Sequence, residues 1–323
     1  MSTASTHAGP EVVRFAGKAE PPARHLGLGR LPDFLVVGAA KSGTTSLWFY
    51  LHRHPGVFFA EPKELEFFSY DDRYEKGADW YKAFFAEAAD GQLCGEASTT
   101  YARWPRFGDV GARIAETVPG AKLVYIMRHP IERTYAQYRH RMRLPGPRMT
   151  FEEALESDEQ FVLNSMYMTQ LEQFLAHTPR ERIHCMLSED LKLSPGETLA
   201  RLQEFLGLEP RDLVGDAAIE SNRGSSGGDD YVRQRFRRTI KRVPGVRSLS
   251  RSLPTGLKDR VLRALTGSTM GAKLKAGYQP GPLTAGTAAA LADRFREPNE
   301  RLAKFLGRDL SHWSIPPESK GRE

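Results

Sequence analysis

Lys41, Ser42, Thr44, Thr45 and Ser46 gather one ammonium and four hydroxyls around Gly43. Residue types of this kind at this density can hold an anion. The residues before them, Phe34 to Val37, form an apolar run of strand length, while Leu47, Tyr50, Leu51 and His54 recur at helical spacing. The cluster therefore occupies the loop of a strand-loop-helix unit. A helix opening at Thr44 or Thr45 leaves its first amides without partners and carries a partial positive charge there, which suits an anion bound by backbone donors. Loops that hold nucleoside triphosphates end Gly-Lys-Ser/Thr. Here the order is Lys41-Ser42-Gly43-Thr44-Thr45, so the lysine precedes the turn and the magnesium-binding hydroxyl is out of register. This is not the loop of a standard ATPase or kinase.

Two further places carry chemistry. Arg128 follows the apolar run Lys122 to Met127 and precedes a helical pattern from Ile131 to Met142, where a guanidinium can clamp a phosphate bidentately. In Lys63-Glu64-Leu65-Glu66-Phe67-Phe68, a positioned carboxylate can accept a proton from an attacking hydroxyl or amine. In an extended loop residues two apart share a face, so Glu64 and Glu66 qualify equally by position. Histidine is the rival base, with His52, His54, His129 and His140 near the relevant segments. Lone histidines are more often structural or solvated, and they rank below the glutamates.

Several elements must position these groups. Strands are expected at Val57 to Phe59, Gln92 to Ala97, Lys122 to Met127 and Arg182 to Leu187, besides the opening one. Helices are expected around Trp80 to Phe85, Asp109 to Val118, Tyr167 to Ala176 and residues 284–306. Thr150 with Glu153, and Ser194 with Glu197, read as capping boxes that open two more. Strands alternating with helices give an α/β fold, a single domain with a central parallel sheet flanked by helices, and ligands then lie at the carboxyl ends of the strands. Residues 1–30 are expected as a disordered leader, 31–220 as the α/β core, 221–283 as a basic, partly flexible lid, and 284–323 as a helix and tail packing on the core, with Trp313 docking the end.

Composition narrows the class without choosing the function. At 323 residues with 40% apolar content the chain has ample core for a globular domain. It shows no run of membrane-span length and no apolar signal core, so a cytoplasmic location is expected; a transit peptide is the weaker alternative. Cys94 and Cys185 each fall within an expected strand, which reads as buried reduced thiols. A net charge of +6 favours anionic partners.

The order KSGTT after a strand resembles the 5′-phosphosulfate loop of sulfotransferases that use 3′-phosphoadenosine 5′-phosphosulfate (PAPS). Arg128, Pro130, Arg133 and Tyr138 resemble the 3′-phosphate motif of that family, in which Ala136 stands where a serine is usual. The run from Lys63 to Phe68 resembles the base-bearing segment of carbohydrate-type and bacterial members, with Glu64 at the base position and Glu66 in place of the usual histidine. Glu96-Ala97-Ser98 resembles the family's Glu-Lys-Ser/Thr segment, with Ala97 where some glycan-acting members carry lysine. The resemblance extends from about Phe34 to Trp313 and implies a P-loop-like sulfotransferase fold. It implies PAPS as co-substrate, bound through Lys41, Ser42, Gly43, Thr44, Thr45, Ser46, Arg128, Arg133 and a late loop containing Arg223, with no metal required. The acceptor would be a small molecule, lipid or glycan carrying a hydroxyl or, less readily, an amine. To offset the lost serine, Thr134, Arg133 and Arg223 stand as substitutes. Against this reading stand a nucleotide kinase and a non-enzymatic protein that uses the basic run 233–251 on nucleic acid or membrane. The first is disfavoured by the place of Lys41, the second by the lack of a nucleic-acid module.

Overall fold

A computed structural model describes residues 19–144, 147–215 and 280–315. Five short strands, β1 (Phe34–Gly38), β2 (Val57–Phe59), β3 (Leu93–Ala97), β4 (Lys122–Met127) and β5 (Ile183–Leu187), form one parallel sheet in the order β2-β3-β1-β4-β5. They are nearly continuous in apolar residues because both faces are covered, as parallel sheets require. Alternate residues serve the two faces. Leu35, Val37, Leu123, Tyr125 and Met127 belong to one core, with Trp80, Tyr81, Phe174 and Trp313; Phe34, Val36, Val124 and Ile126 belong to the other, with Leu47, Leu51, Leu199 and Leu202.

The described helices are α1 (Thr44–His52), α2 (Asp71–Tyr74), α3 (Gly77–Lys82), α4 (Val110–Thr117), α5 (Pro130–Arg143), α6 (Phe151–Ser157), α7 (Gln160–Leu163), α8 (Tyr167–Leu175), α9 (Ser188–Leu193), α10 (Pro195–Leu206) and α11 (Ala285–Leu306). None of them is long and apolar enough to cross a membrane. Helix α5 opens with proline in its first turn, where the missing N–H costs nothing. The capping box of α6 forms in full, Thr150 Oγ1 accepting from Glu153 N and Glu153 Oε2 accepting from Thr150 N at 2.7 Å. The second expected box does not form. Ser194 also closes α9, its amide donating to Asp190 O, and its backbone is turned away from the geometry in which its hydroxyl would cap α10.

Part of the expected disordered leader packs on the core. Ala19 is buried and Trp80 Nε1 donates to Glu20, while residues 1–18 of the expected leader lie outside the described residues. Trp313 is fully buried against Tyr167, as the sequence suggested. The cysteines are free thiols; Cys94 is buried and Cys185 half-buried, and burial pushes the latter's pKa up to about 12. The expected lid at 221–283, with Arg223 and the basic run 233–251, lies outside the described residues apart from its last four positions.

Gly95 in β3 lies under the Phe34 ring, and a Cβ there would overlap it. Gly95→Ala should therefore cost about 1–3 kcal/mol by overpacking. A urea-unfolding midpoint equal to that of the wild type would contradict this packing.

Candidate active site

The sheet order places β1 in the middle, with the chain passing first to the β3 side and then back to β4. Crevices form at such reversals, beyond the carboxyl ends of the strands. All five ends contribute here: the 39–43 loop after β1, Glu64 and Glu66 after β2, Thr99 and Arg103 after β3, Arg128 after β4, and Ser188 after β5.

The loop after β1 is shaped for an anion. Gly43 takes a left-handed conformation (φ 100°) and caps α1 with no side-chain hydrogen bond, and Lys41 is also left-handed at φ 71°. Among the described residues the amides of Gly43, Thr44, Thr45 and Ser46 find no backbone acceptor. Ser42 Oγ is closed off from solvent and has no partner. Four orphan amides, an orphan hydroxyl and an ammonium fit a phosphate group at the helix N-terminus. Burial holds the Lys41 pKa down at about 8, with the charges of Arg143 and Arg103 adding to the effect and Glu64 opposing it.

Two cavities flank the loop. The larger, about 790 Å³, is lined by Lys41, Thr44, Thr45, Glu64, Glu66 and Arg103, among others; the smaller, about 310 Å³, by Lys41, Ser42, Ser46, Arg128, Ser188 and Lys192. Lys41 and Gly43 face both. The carboxylates and Arg128 are thus kept apart, with Lys41 between them.

In the larger cleft, Glu64 is held on both oxygens. Oε1 accepts from Lys63 Nζ, while Oε2 accepts from Thr99 N at 2.7 Å and Thr99 Oγ1 at 3.2 Å. Its own amide donates to Ala97 O. Glu66 lines the same cleft, but not through the extended backbone on which the shared-face expectation rested, since both residues are left-handed (φ 66° and 56°). Burial first, and repulsion from Glu64 second, push the Glu66 pKa up to about 7. Beneath, Phe67 stacks on Tyr81 at 4.2 Å and Phe68 packs edge-on to Tyr101. The buried Glu96 accepts from Tyr81, Tyr101 and Ser98, and Ser98 Oγ accepts from Glu66 N at 2.8 Å, so a closed polar network fixes the loop.

In the smaller cavity, Arg128 pairs with Glu132 through Nε at 3.0 Å and Nη2 at 2.5 Å. Both side chains are partly exposed, so the pair contributes little and an arriving dianion can compete for the guanidinium. Tyr167 pins the Arg128 backbone, its hydroxyl donating to Arg128 O at 2.6 Å, and Glu189 accepts from His129 N at the start of α5.

Two sequence expectations need correction. Arg133 is fully buried: its guanidinium donates to Ser165 Oγ, Phe161 O and, at 2.5 Å, Gln137 Oε1, leaving it no face for a ligand. Thr134 Oγ1 is committed to Pro130 O and Ser165 Oγ, so it does not replace the serine missing at Ala136. Arg133 instead ties α5 to Phe161 of α7 and to Ser165 in the chain between α7 and α8. Arg133→Met should leave several buried acceptors unpaired, each costing about 1–3 kcal/mol. A clear drop in Tm is expected, and an unchanged Tm with lost nucleotide binding would restore Arg133 as a ligand group.

Of the four histidines near the site, His140 lines the larger cleft. His52 stacks on Trp48, His54 bonds to Glu209 O, and His129 faces Ile315 O. The sequence did not single out Thr99, Arg103, Ser188 or Lys192. None of these belongs to a spaced pattern, and only proximity to a strand end marks them.

Together, the central anion loop and the carboxylates opposite it define a P-loop-like α/β protein built to handle an anionic group. The chain belongs to the sulfotransferase family, whose profile matches residues 32–212. It is 31% identical over 204 residues to mouse bifunctional heparan sulfate N-deacetylase/N-sulfotransferase 2, a match covering 56% of this chain and 22% of that protein. It is 36% identical over 111 residues to the membrane-associated sulfotransferase kil1 of Dictyostelium discoideum, covering 33% of this chain and 22% of that one. The chain spans about a fifth of the length of the curated relatives it matches. The crystal structure of a sulfotransferase from Alicyclobacillus acidocaldarius shares its fold, with a TM-score of 0.61 and 21% identity over 88% of this chain and all of that one.

Proposed function

We propose that this protein transfers a sulfuryl group from PAPS to an acceptor hydroxyl or amine. The observation that carries the reading is the placement of Lys41 between two cavities, with Glu64 facing one and Arg128 the other. The family assignment supports it and favours neither the kinase nor the non-enzymatic alternative. The name N-sulfotransferase borne by the matched mouse protein gives the amine equal standing with the hydroxyl.

The donor supplies a sulfur joined to a phosphate through one bridging oxygen, and the chain's residues do the rest. The amides of Gly43 to Ser46 and the hydroxyls of Thr44 and Thr45 hold the 5′-phosphate. Arg128, with Ser188 and Lys192 beside it, takes the 3′-phosphate, the group that separates PAPS from ATP. Lys41 offsets the negative charge that grows on the bridging oxygen as its bond to sulfur breaks. Glu64 takes the proton that the acceptor gives up as its new bond to sulfur forms. Catalysis is then positioning plus electrostatics.

The test is incubation with ³⁵S-labelled PAPS and fractionated cell extract, followed by mass identification of the labelled product. Transfer that requires Glu64 supports the reading; release of label only as free sulfate contradicts it.

A pH dependence follows from Lys41. Its ammonium form, the one that stabilises the leaving oxygen, predominates below about pH 8. The value of kcat/KM should therefore fall above about pH 8. In kcat the fall should lie at higher pH, because a bound anion favours the charged lysine. Lys41→Arg, whose guanidinium does not titrate in this range, should abolish that limb. A limb unmoved in this variant would assign it to another group.

A further inference from the structure

We propose that Arg103 reads an oxyanion on the acceptor, a carboxylate or a phosphate monoester close to the reacting hydroxyl or amine. The proposal rests on the sulfuryl-transfer reading of the cleft and extends it to the class of acceptor.

Arg103 lines the larger cleft with Glu64 and Glu66 and does not line the smaller cavity that holds Arg128. It lies four residues beyond Thr99, whose amide and hydroxyl fix Glu64, so one loop carries both the support of the proposed base and this guanidinium. That places it on the acceptor's side. Its guanidinium is largely buried, enough for burial to lower its pKa, and its Nε is shut off from solvent without a hydrogen-bond partner. Among the described residues no carboxylate lies within ion-pair distance of it. A largely shielded charge without a partner is costly, and an oxyanion on a ligand would complete it.

The neighbouring glutamates do not complete it. Glu64 spends its oxygens on Lys63 and Thr99. Glu66 feels the positive charge of Arg103, yet burial and Glu64 outweigh it and push its pKa up to about 7, and no ion pair joins the two side chains. The backbone around Arg103 is already set, since Gln170 bonds the next residue on both sides, accepting from Trp104 N at 2.7 Å and donating to Trp104 O at 2.9 Å. The fork of a guanidinium matches the paired oxygens of a carboxylate or phosphate, and a pre-placed one binds with little ordering cost.

The experiment uses deproteinised cell extract as the acceptor pool, divided into three. One part is untreated, one has its carboxylates amidated with carbodiimide and ethanolamine, and one is treated with alkaline phosphatase. Each is incubated with ³⁵S-PAPS and wild-type, Arg103→Gln or Arg103→Lys protein. For the wild type, label incorporation should fall about tenfold or more in one treated pool, the loss expected of a charged hydrogen-bonded contact. The affected pool identifies the oxyanion as carboxylate or phosphate. Arg103→Gln should label treated and untreated pools equally while binding adenosine 3′,5′-bisphosphate as the wild type does, and Arg103→Lys should keep part of the preference. Equal labelling of all pools by the wild type overturns the proposal. So does Arg103→Gln losing activity by the same factor in every pool, which would give Arg103 to the donor or the fold. Failure of the wild type to label even the untreated pool contradicts the sulfuryl-transfer reading itself, and the proposal falls with it.

Discussion

Glu64→Gln should bind adenosine 3′,5′-bisphosphate with unchanged affinity and lose about 10²–10⁴ in turnover, the usual contribution of a positioned general base. The substitution keeps shape and one acceptor oxygen. Thr99 N and Oγ1 can still donate to that oxygen, so the loop need not move. What goes is the negative charge that receives the acceptor's proton. Lys63 is the internal control, because its ammonium pairs with Glu64 Oε1 and would lose that partner. An effect caused only by losing the Lys63–Glu64 ion pair would appear equally in Glu64→Ala and Lys63→Met. An effect on proton transfer would leave Lys63→Met much more active than Glu64→Gln. The neighbouring Glu66 gives the other check. Its elevated pKa depends in part on the charge of Glu64, so removing that charge should bring it down toward the ordinary carboxylate range. Undiminished turnover in Glu64→Gln would move the base to Glu66, His140 or Asp158, the other ionisable proton acceptors that line the cleft.

The second large effect is expected at Lys41. Lys41→Ala should lower kcat by about 10²–10³, the scale on which single donors to a developing negative charge act, and should weaken nucleotide binding as well. The two losses separate in measurement: binding of adenosine 3′,5′-bisphosphate reports the ground state, and single-turnover transfer at saturating donor reports the transition state. Arg128→Ala should differ in kind. Its guanidinium faces the cavity remote from Glu64, so it should lose affinity for the 3′-phosphate more than it loses the chemical step at saturation. If Lys41→Ala and Arg128→Ala showed the same balance of binding and turnover, the division of labour drawn from the two cavities would fail.

The periodic parts of the fold were legible in the sequence. Lys122 to Met127 is a strand with the limits its apolar run suggested, and Thr150 with Glu153 forms the capping box it spells. The Ser194 box misled because a capping signature does not reveal that the same residue must also end the helix before it. Within the site, the shape of the loop from Lys41 to Ser46 was legible because it is local: one strand, one turn and one helix end place every donor. Arg133 was misread for a geometric reason. Arg128 lies in the loop before α5, whereas Arg133 lies within the helix, so the two arginines of the motif are placed by different elements. Sequence spacing alone could not say which pointed inward; burial among Ser165, Phe161 and Gln137 does. Arg103 and Thr99 come to the site through the sheet, from a strand paired to β1, and long-range pairing of that kind leaves no local pattern to read.

The proposed function turns on the identity of the nucleotide that the loop after β1 accepts. Calorimetric titration with adenosine 3′,5′-bisphosphate and with ATP·Mg²⁺, on wild-type protein and on Arg128→Ala, tests it most directly. The predicted result is clear binding of the bisphosphate that Arg128→Ala weakens by about tenfold or more, as loss of a charged hydrogen-bonded contact implies, with ATP·Mg²⁺ binding poorly to both. Binding of ATP·Mg²⁺ with no affinity for the bisphosphate would contradict the sulfuryl-transfer reading.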